Sequence, residues 1–150
     1  MNKLTAAYVA GLIDGEGYIA LEHHKGTGAA LYRPTVKVAM CNEGIIRWLS
    51  ASFGGHVDIR HAKQKNHRDS FCWIYTGRKI EPFLRKIRPF LKLKQRQCDI
   101  LIQRISLSQK MGNGTGSAPG WNIRYSPETV QTMRELYEEI RSLNKRGTAA

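Results

Sequence analysis

Apolar and polar residues alternate along this chain with periods that change in a fixed order. Thr5 to about Asp14 has the helical period, with Thr5 placed to cap it and Gly15 and Gly17 to close it. Residues 18–25 and 32–39 alternate with period two across the turn-rich Gly26-Thr27-Gly28, the pattern of a β-hairpin. Asn42 to Phe53 sets Ile46, Leu49 and Phe53 on one helical stripe, stopped by Gly54-Gly55. Two more strands are predicted near 56–61 and 70–76, joined by a polar loop with Lys63, Lys65, His67 and Arg68. Ile80, Phe83, Leu84 and Ile87 mark a short amphipathic helix ending before Pro89, and another helix is expected from about Lys94 to Gln109. After a Gly/Ser/Asn-rich loop at 112–120, Ser126-Pro127-Glu128 opens a last helix buried through Val130, Met133, Tyr137 and Ile140. The order αββαββα plus C-terminal helices specifies a single α+β domain around an antiparallel sheet.

The first helix departs from an ordinary surface helix. At 100° per residue, Ala7, Ala10, Gly11, Asp14 and Gly15 fall on one side, and Tyr8, Val9, Leu12 and Ile13 on the other. The second side suits the domain's own core. The first has almost no side chains, although a glycine within a helix costs about 1 kcal/mol relative to alanine. Close approach of another helix would explain it; a loop of the same chain covering this side is the alternative.

Charge then narrows the class of partner. The 24 Lys and Arg against 12 Asp and Glu give a net charge of +12, and eight of the basic residues lie within 78–96 with Glu81 the one acid there. Such an excess suits a polyanion, nucleic acid above all, although a basic ribosomal-type surface would give the same number. No run of apolar residues has membrane-spanning length and no signal-peptide pattern opens the chain, so an intracellular protein without a membrane partner is expected. Cys41, Cys72 and Cys98 are widely spaced among apolar neighbours, which suits reduced, mostly buried thiols. The five histidines share no ligand spacing with a cysteine pair and are expected on the surface or against nucleic acid.

Asp14 and Glu16 stand at the C-terminal end of the first helix, where the helix dipole disfavours negative charge. Carboxylates and last-turn carbonyls converging there would suit a hard divalent cation, and a second copy of the helix packed alongside would bring two such spots together. Equally, Glu16 would open the next strand and face water.

The run Val9-Ala10-Gly11-Leu12-Ile13-Asp14-Gly15-Glu16-Gly17 closely resembles the nine-residue signature of the LAGLIDADG homing endonucleases, matching at seven of nine positions when Glu is taken for Asp at the eighth. Phe53-Gly54-Gly55 resembles the family's glycine turn after its second helix, and Pro89-Phe90-Leu91-Lys92-Leu93-Lys94 the segment carrying its active-site lysine. The similarity covers roughly the first 110 residues.

This resemblance implies a saddle-shaped antiparallel sheet and cleavage of both strands of a long DNA site with Mg²⁺ or Mn²⁺. Glu16 would be catalytic and bind the metal, the backbone carbonyl of Gly15 would add a ligand, and Lys94 would stand near the scissile phosphate. One motif copy implies a homodimer on a near-palindromic target, joined through Ala7, Ala10, Gly11 and Asp14. Where many relatives carry a water-orienting Gln at the end of the second strand, this chain has Met40, with Asn42 nearby as a possible substitute.

Strand alternation assigns Ile19, Leu21, Val36, Val38, Val57, Ile59, Cys72 and Ile74 to the core. Tyr18, Glu22, His24, Arg33, Thr35, Lys37, Asp58, Arg60, Phe71, Trp73 and Tyr75 are left on an open face suited to DNA, or to a covering helix. Two other functions remain open: a non-catalytic protein of the same fold, acting as an RNA maturase or DNA-binding regulator, and a basic RNA-binding protein.

Overall fold

The computed structural model describes residues 1–23, 32–62, 67–109 and 125–145. The expected turn at Gly26-Thr27-Gly28, His24, the loop residues Lys63 and Lys65, and the 112–120 loop lie outside the described residues. The elements are α1 (Lys3–Glu16), β1 (Gly17–Glu22), β2 (Arg33–Met40), α2 (Glu43–Phe53), β3 (His56–Arg60), β4 (Ser70–Thr76), α3 (Glu81–Ile87), α4 (Gln95–Gln109) and α5 (Pro127–Leu143). The order agrees with the αββαββα reading, with α4 and α5 as the C-terminal helices.

Local chemistry fixes the helix ends. The α1 cap lies three residues earlier than expected: Asn2, not Thr5, caps the helix and accepts from the Thr5 N–H at 2.8 Å. At its far end a glycine is required at position 17: a Cβ there would stand 2.7 Å from the Ile13 backbone. Asn42 caps α2 by accepting from the Ile45 N–H at 3.0 Å, and Ser126 caps α5 with Pro127 at the first position. Gly55 combines φ +88° with a backbone so close to Ile74 O that a Cβ would stand 2.5 Å from it, which turns the chain from α2 into β3.

All strand pairs are antiparallel and the sheet order is β1-β2-β4-β3. The register decides which residues share a face. Val36 pairs with Tyr75 and Val38 with Trp73, so the aromatic residues of β4 lie on the same face as the core valines of β2. Helices α1, α2 and α4 pack against the sheet and α3 packs on α1 and α4. Phe53, Trp73, Tyr75 and Phe83 form an aromatic cluster with ring centroids 5.3–6.5 Å apart. Trp73 is fully buried, and its indole N–H donates to the Gly54 carbonyl at 2.7 Å.

The α5 helix packs on α4 and on the edge strand β1, burying Met133, Leu136 and Ile140, and Asn144 donates to the Ile19 carbonyl at 2.9 Å. Edge-strand groups left unpaired attract other strands, and this contact occupies one of them. Arg96 and Glu139 tie α4 to α5 by a two-bond ion pair at 2.6 and 2.8 Å. The cysteines are free thiols, Cys72 and Cys98 buried and Cys41 exposed; burial pushes the Cys98 thiol up to about 12.

Candidate active site and nucleic-acid interface

The signature segment occupies the second half of α1 and runs directly into β1. Val9, Ala10 and Ile13 are buried in the core. Ala10 therefore does not belong to the bare side of the helix, where the wheel placed it: an alanine is small enough to fit either side, and packing chose the core. Tyr8 moves the opposite way and is 51% exposed, packing edge-on against Trp48 of α2 at 5.8 Å. The open side of α1 consists of Leu4, Ala7, Tyr8, Gly11 and Gly15, with Leu4 83% exposed. A Cβ built on Gly11 or Gly15 meets nothing within 4 Å. Of the residues on this side, Tyr8 touches Trp48 of α2, while Leu4, Ala7, Gly11 and Gly15 form an exposed, uncharged stripe.

The two ends of α1 and α4 cap each other. The Asp14 carboxylate accepts from three successive backbone N–H groups, those of Lys92 at 2.6 Å, Leu93 at 3.2 Å and Lys94 at 3.1 Å. Lys94 is where α4 begins, its carbonyl accepting from the Cys98 N–H at 3.0 Å, so the carboxylate sits at the positive end of that helix. In return, the Lys94 ammonium donates to the carbonyls of Ile13 at 2.8 Å and Asp14 at 2.5 Å, at the negative end of α1. Burial pulls the Lys94 ammonium below its ordinary pKa of 10.5, against the opposing attraction of Asp14 and Glu16.

The expected convergence of Asp14, Glu16 and free carbonyls is thereby corrected. Asp14 is held by the α4 turn, and the Ile13 and Asp14 carbonyls hold Lys94. Glu16 is left as the exposed carboxylate of the segment, within electrostatic range of Lys94. Among the described residues no group of three or more metal-ligating side chains occurs. One chain thus offers one free carboxylate, and a hard cation with six or more oxygen ligands would need a second carboxylate, phosphate oxygens or water to complete its shell. Asn42, the candidate for the water-orienting position, is engaged as the α2 cap, and Met40 is half-buried on the core face of β2.

The strand face opposite the helices carries Tyr18, Glu22, Arg33, Lys37, Asp58 and Arg60, as the alternation in β1, β2 and β3 implies. Three expected members do not belong: Phe71, Trp73 and Tyr75 face the core, and Cys72 and Ile74 take their place on the open side. Thr35 lies on the open side by register yet is fully buried. On β3, an edge strand of the sheet, Ile59 is 44% exposed although it lies on the core side by register. Sequence alternation did not single out His56, which shares the open face and lies 3.7 Å from Asp58. Beyond the strand ends, Asp69 accepts from the Ala62 N–H and pairs with His61, both at 2.9 Å.

The fold is that of the LAGLIDADG homing endonucleases, and the signature resemblance falls on the helix that bears the open stripe. The structure superposes on I-CvuI solved with a DNA target at 19% identity and a TM-score of 0.67, over 99% of this chain and 86% of that one. It matches the archaeal intron-encoded I-Vdi141I complexed with DNA at 16% identity and 0.67, over 96% and 86%. It also matches I-SmaMI bound to an uncleaved DNA target with calcium at 17% and 0.63, over 95% of this chain but 45% of that one. No family model and no curated protein matches the sequence itself. No helix among the described residues is long and apolar enough to cross a membrane.

Proposed function

We propose that this chain is one half of a homodimeric, divalent-metal-dependent endonuclease that cleaves both strands of a long, near-palindromic DNA site. The observation that carries the reading is the exposed Glu16 at the end of the uncharged α1 stripe, beside Lys94 and directly before β1, the first strand of the sheet whose open face carries Arg33, Lys37 and Arg60. The occupant of the stripe is a second copy. I-SmaMI, matched over less than half its length, is long enough to hold a second unit of this size in one chain, and this chain has one motif. A twofold axis along α1 would bring two Glu16 carboxylates together, a pair that repels unless cations lie between.

Mg²⁺ or Mn²⁺ bound there would activate water and stabilise the leaving oxygen. Glu16 and the Gly15 carbonyl would hold it. Lys94, fixed by two carbonyls, keeps a positive charge near Glu16 without a conformational search, and such a preset charge favours the phosphate where negative charge builds. The open sheet faces, one from each copy, would bind the two half-sites.

Replacing Glu16 with Gln tests this. Cleavage of a selected DNA site with Mg²⁺ should fall by orders of magnitude, with binding retained in Ca²⁺, because shape is kept and the metal-holding charge is removed. Cleavage near the wild-type rate would refute the assignment. The end of β2 favours a second reading: Met40 and the capping Asn42 stand where many relatives orient water. A protein that binds DNA or structured RNA, and cuts no site it binds with Mg²⁺ or Mn²⁺, would be the maturase or regulator of the same fold.

A further inference from the structure

The most organised group on the open sheet face is an ion cluster built on an acid. Glu22 of β1 pairs directly opposite Arg33 of β2, Ala20 opposite Thr35 and Tyr18 opposite Lys37. The Glu22 carboxylate takes both neighbouring cations: Oε1 accepts from the Lys37 ammonium, and Oε2 lies 3.5 Å from an Arg33 terminal nitrogen. Ala20 leaves room for Glu22 and Lys37 to meet along the strands, and Thr35 between the cations is fully buried. Burial raises the Glu22 carboxyl pKa, but the bonds from Lys37, Thr35 and Arg33 outweigh this and hold it below the ordinary carboxylate range.

Folding gives a poor reason for this arrangement. The three side chains are 26–41% exposed, and ion pairs at such exposure add little to stability. For simple polyanion binding it is worse than nothing, because a carboxylate repels phosphates and occupies two cations that would attract them. The cost makes sense if those cations must be in fixed places before DNA arrives. Lysine and arginine lose much rotamer freedom when they are ordered, and ordering them in the free protein removes that loss from binding.

We propose that Glu22 is a specificity-determining positioning residue: it holds Arg33 and Lys37 to donate to guanine edges in the major groove and keeps them off the phosphates. This rests on the reading of the open face as a duplex-binding surface. Donors remain for the task. Lys37 has three ammonium hydrogens and gives one to Glu22, and the Arg33 guanidinium, exposed at its end, carries four terminal N–H groups with one terminal nitrogen turned to Glu22; its buried Nε takes no part. Guanine presents two acceptors side by side, O6 and N7, whereas adenine sets a donor beside its acceptor and cytosine presents a donor. A pinned cluster of donors therefore favours guanine at two nearby positions of each half-site.

The experiment is selection of bound duplexes from a randomised library in Ca²⁺ by the full-length wild type and by Glu22→Gln. It is followed by titration of each protein with a mixed-sequence duplex at several salt concentrations. The wild type should enrich guanine at two nearby positions per half-site. Glu22→Gln should lose that enrichment by about tenfold per position, the scale of one charged side chain reading a base edge. Its affinity for mixed-sequence duplex should rise several-fold with a steeper salt dependence, as the released cations reach phosphates. If that variant does not fold, Glu22→Asp, too short to hold both cations, carries the test and should retain guanine at one position only. Unchanged base preferences in the variant overturn the role of Glu22 alone. An equal loss of affinity for every sequence also overturns it, and marks Glu22 as merely structural. A wild type that binds no duplex removes the functional reading as well.

Discussion

Replacing Asp14 with Ala should unfasten the α4 turn from α1 and cost more stability than any other polar change in the motif. The carboxylate takes three backbone N–H groups at 2.6, 3.2 and 3.1 Å, across 78 to 80 residues of chain. Hydrogen bonds to a charged group are worth about 1.5–3 kcal/mol each when shielded. Asp14 is only partly buried, and water can rehydrate the released N–H groups, so about 1 kcal/mol per bond is the better figure. Loss of the charge at the α4 N-terminus adds about 0.3–1 kcal/mol. The total is about 3–4 kcal/mol, or roughly 6–16 °C in melting temperature for a chain of this size. Asp14→Asn keeps an accepting oxygen without the charge and should lose about half as much. Denaturant titration is the direct assay: the midpoint should fall with the slope unchanged. Because the same turn sets Lys94 beside Glu16, both variants should also lose cleavage with Glu16 intact. An Asp14→Ala protein within about 0.5 kcal/mol of wild type would refute the reciprocal-cap account, since surface changes without a structural role fall in that range.

Gly11→Leu should leave the single-chain fold intact, since a Cβ there meets nothing within 4 Å, while sedimentation should show loss of the proposed dimer. A wild type that stays monomeric with and without DNA would refute the pairing. Trp73→Phe should lower stability by about 1–3 kcal/mol, because the indole bond to the Gly54 carbonyl is lost and the smaller ring leaves a gap in the aromatic cluster, and should leave the selected DNA sequence unchanged. Altered base preference at full stability would return Trp73 to the open face. The Arg88 guanidinium bonds Asp99 twice at 2.9 Å and, against burial, holds its carboxyl below the ordinary 3.8. A depressed carboxyl stabilises the fold above its unfolded-state value, and that contribution is lost as pH falls from about 3.8 through the lower native value. The stability gap between wild type and Asp99→Asn should therefore close on acidification below that point, and a gap independent of pH would exclude the pair as its source.

The sequence alone determined the order of elements, the motif helix and the polar character of β1 to β3 on their open side, because each rests on a contrast that one segment carries by itself. Lys37 between Val36 and Val38 has one sensible face in a half-buried strand, and Ser126-Pro127 starts a helix whatever surrounds it. Phe71-Cys72-Trp73-Ile74-Tyr75 has no such contrast. Every residue is apolar, so either parity looks buried, and one residue of register exchanges the two faces. Pairing of Val38 with Trp73 and Val36 with Tyr75 settled it, placing the largest rings where α2 and α3 fill space around them. Ala10 had the same ambiguity on a helix apolar on both sides. From its neighbours in sequence Asp14 looks like a convergent acid, because its partners lie some eighty residues away. Only the folded chain brings the start of α4 against the end of α1, where a carboxylate answers unpaired N–H groups, an ammonium answers unpaired carbonyls, and Glu16 is left exposed.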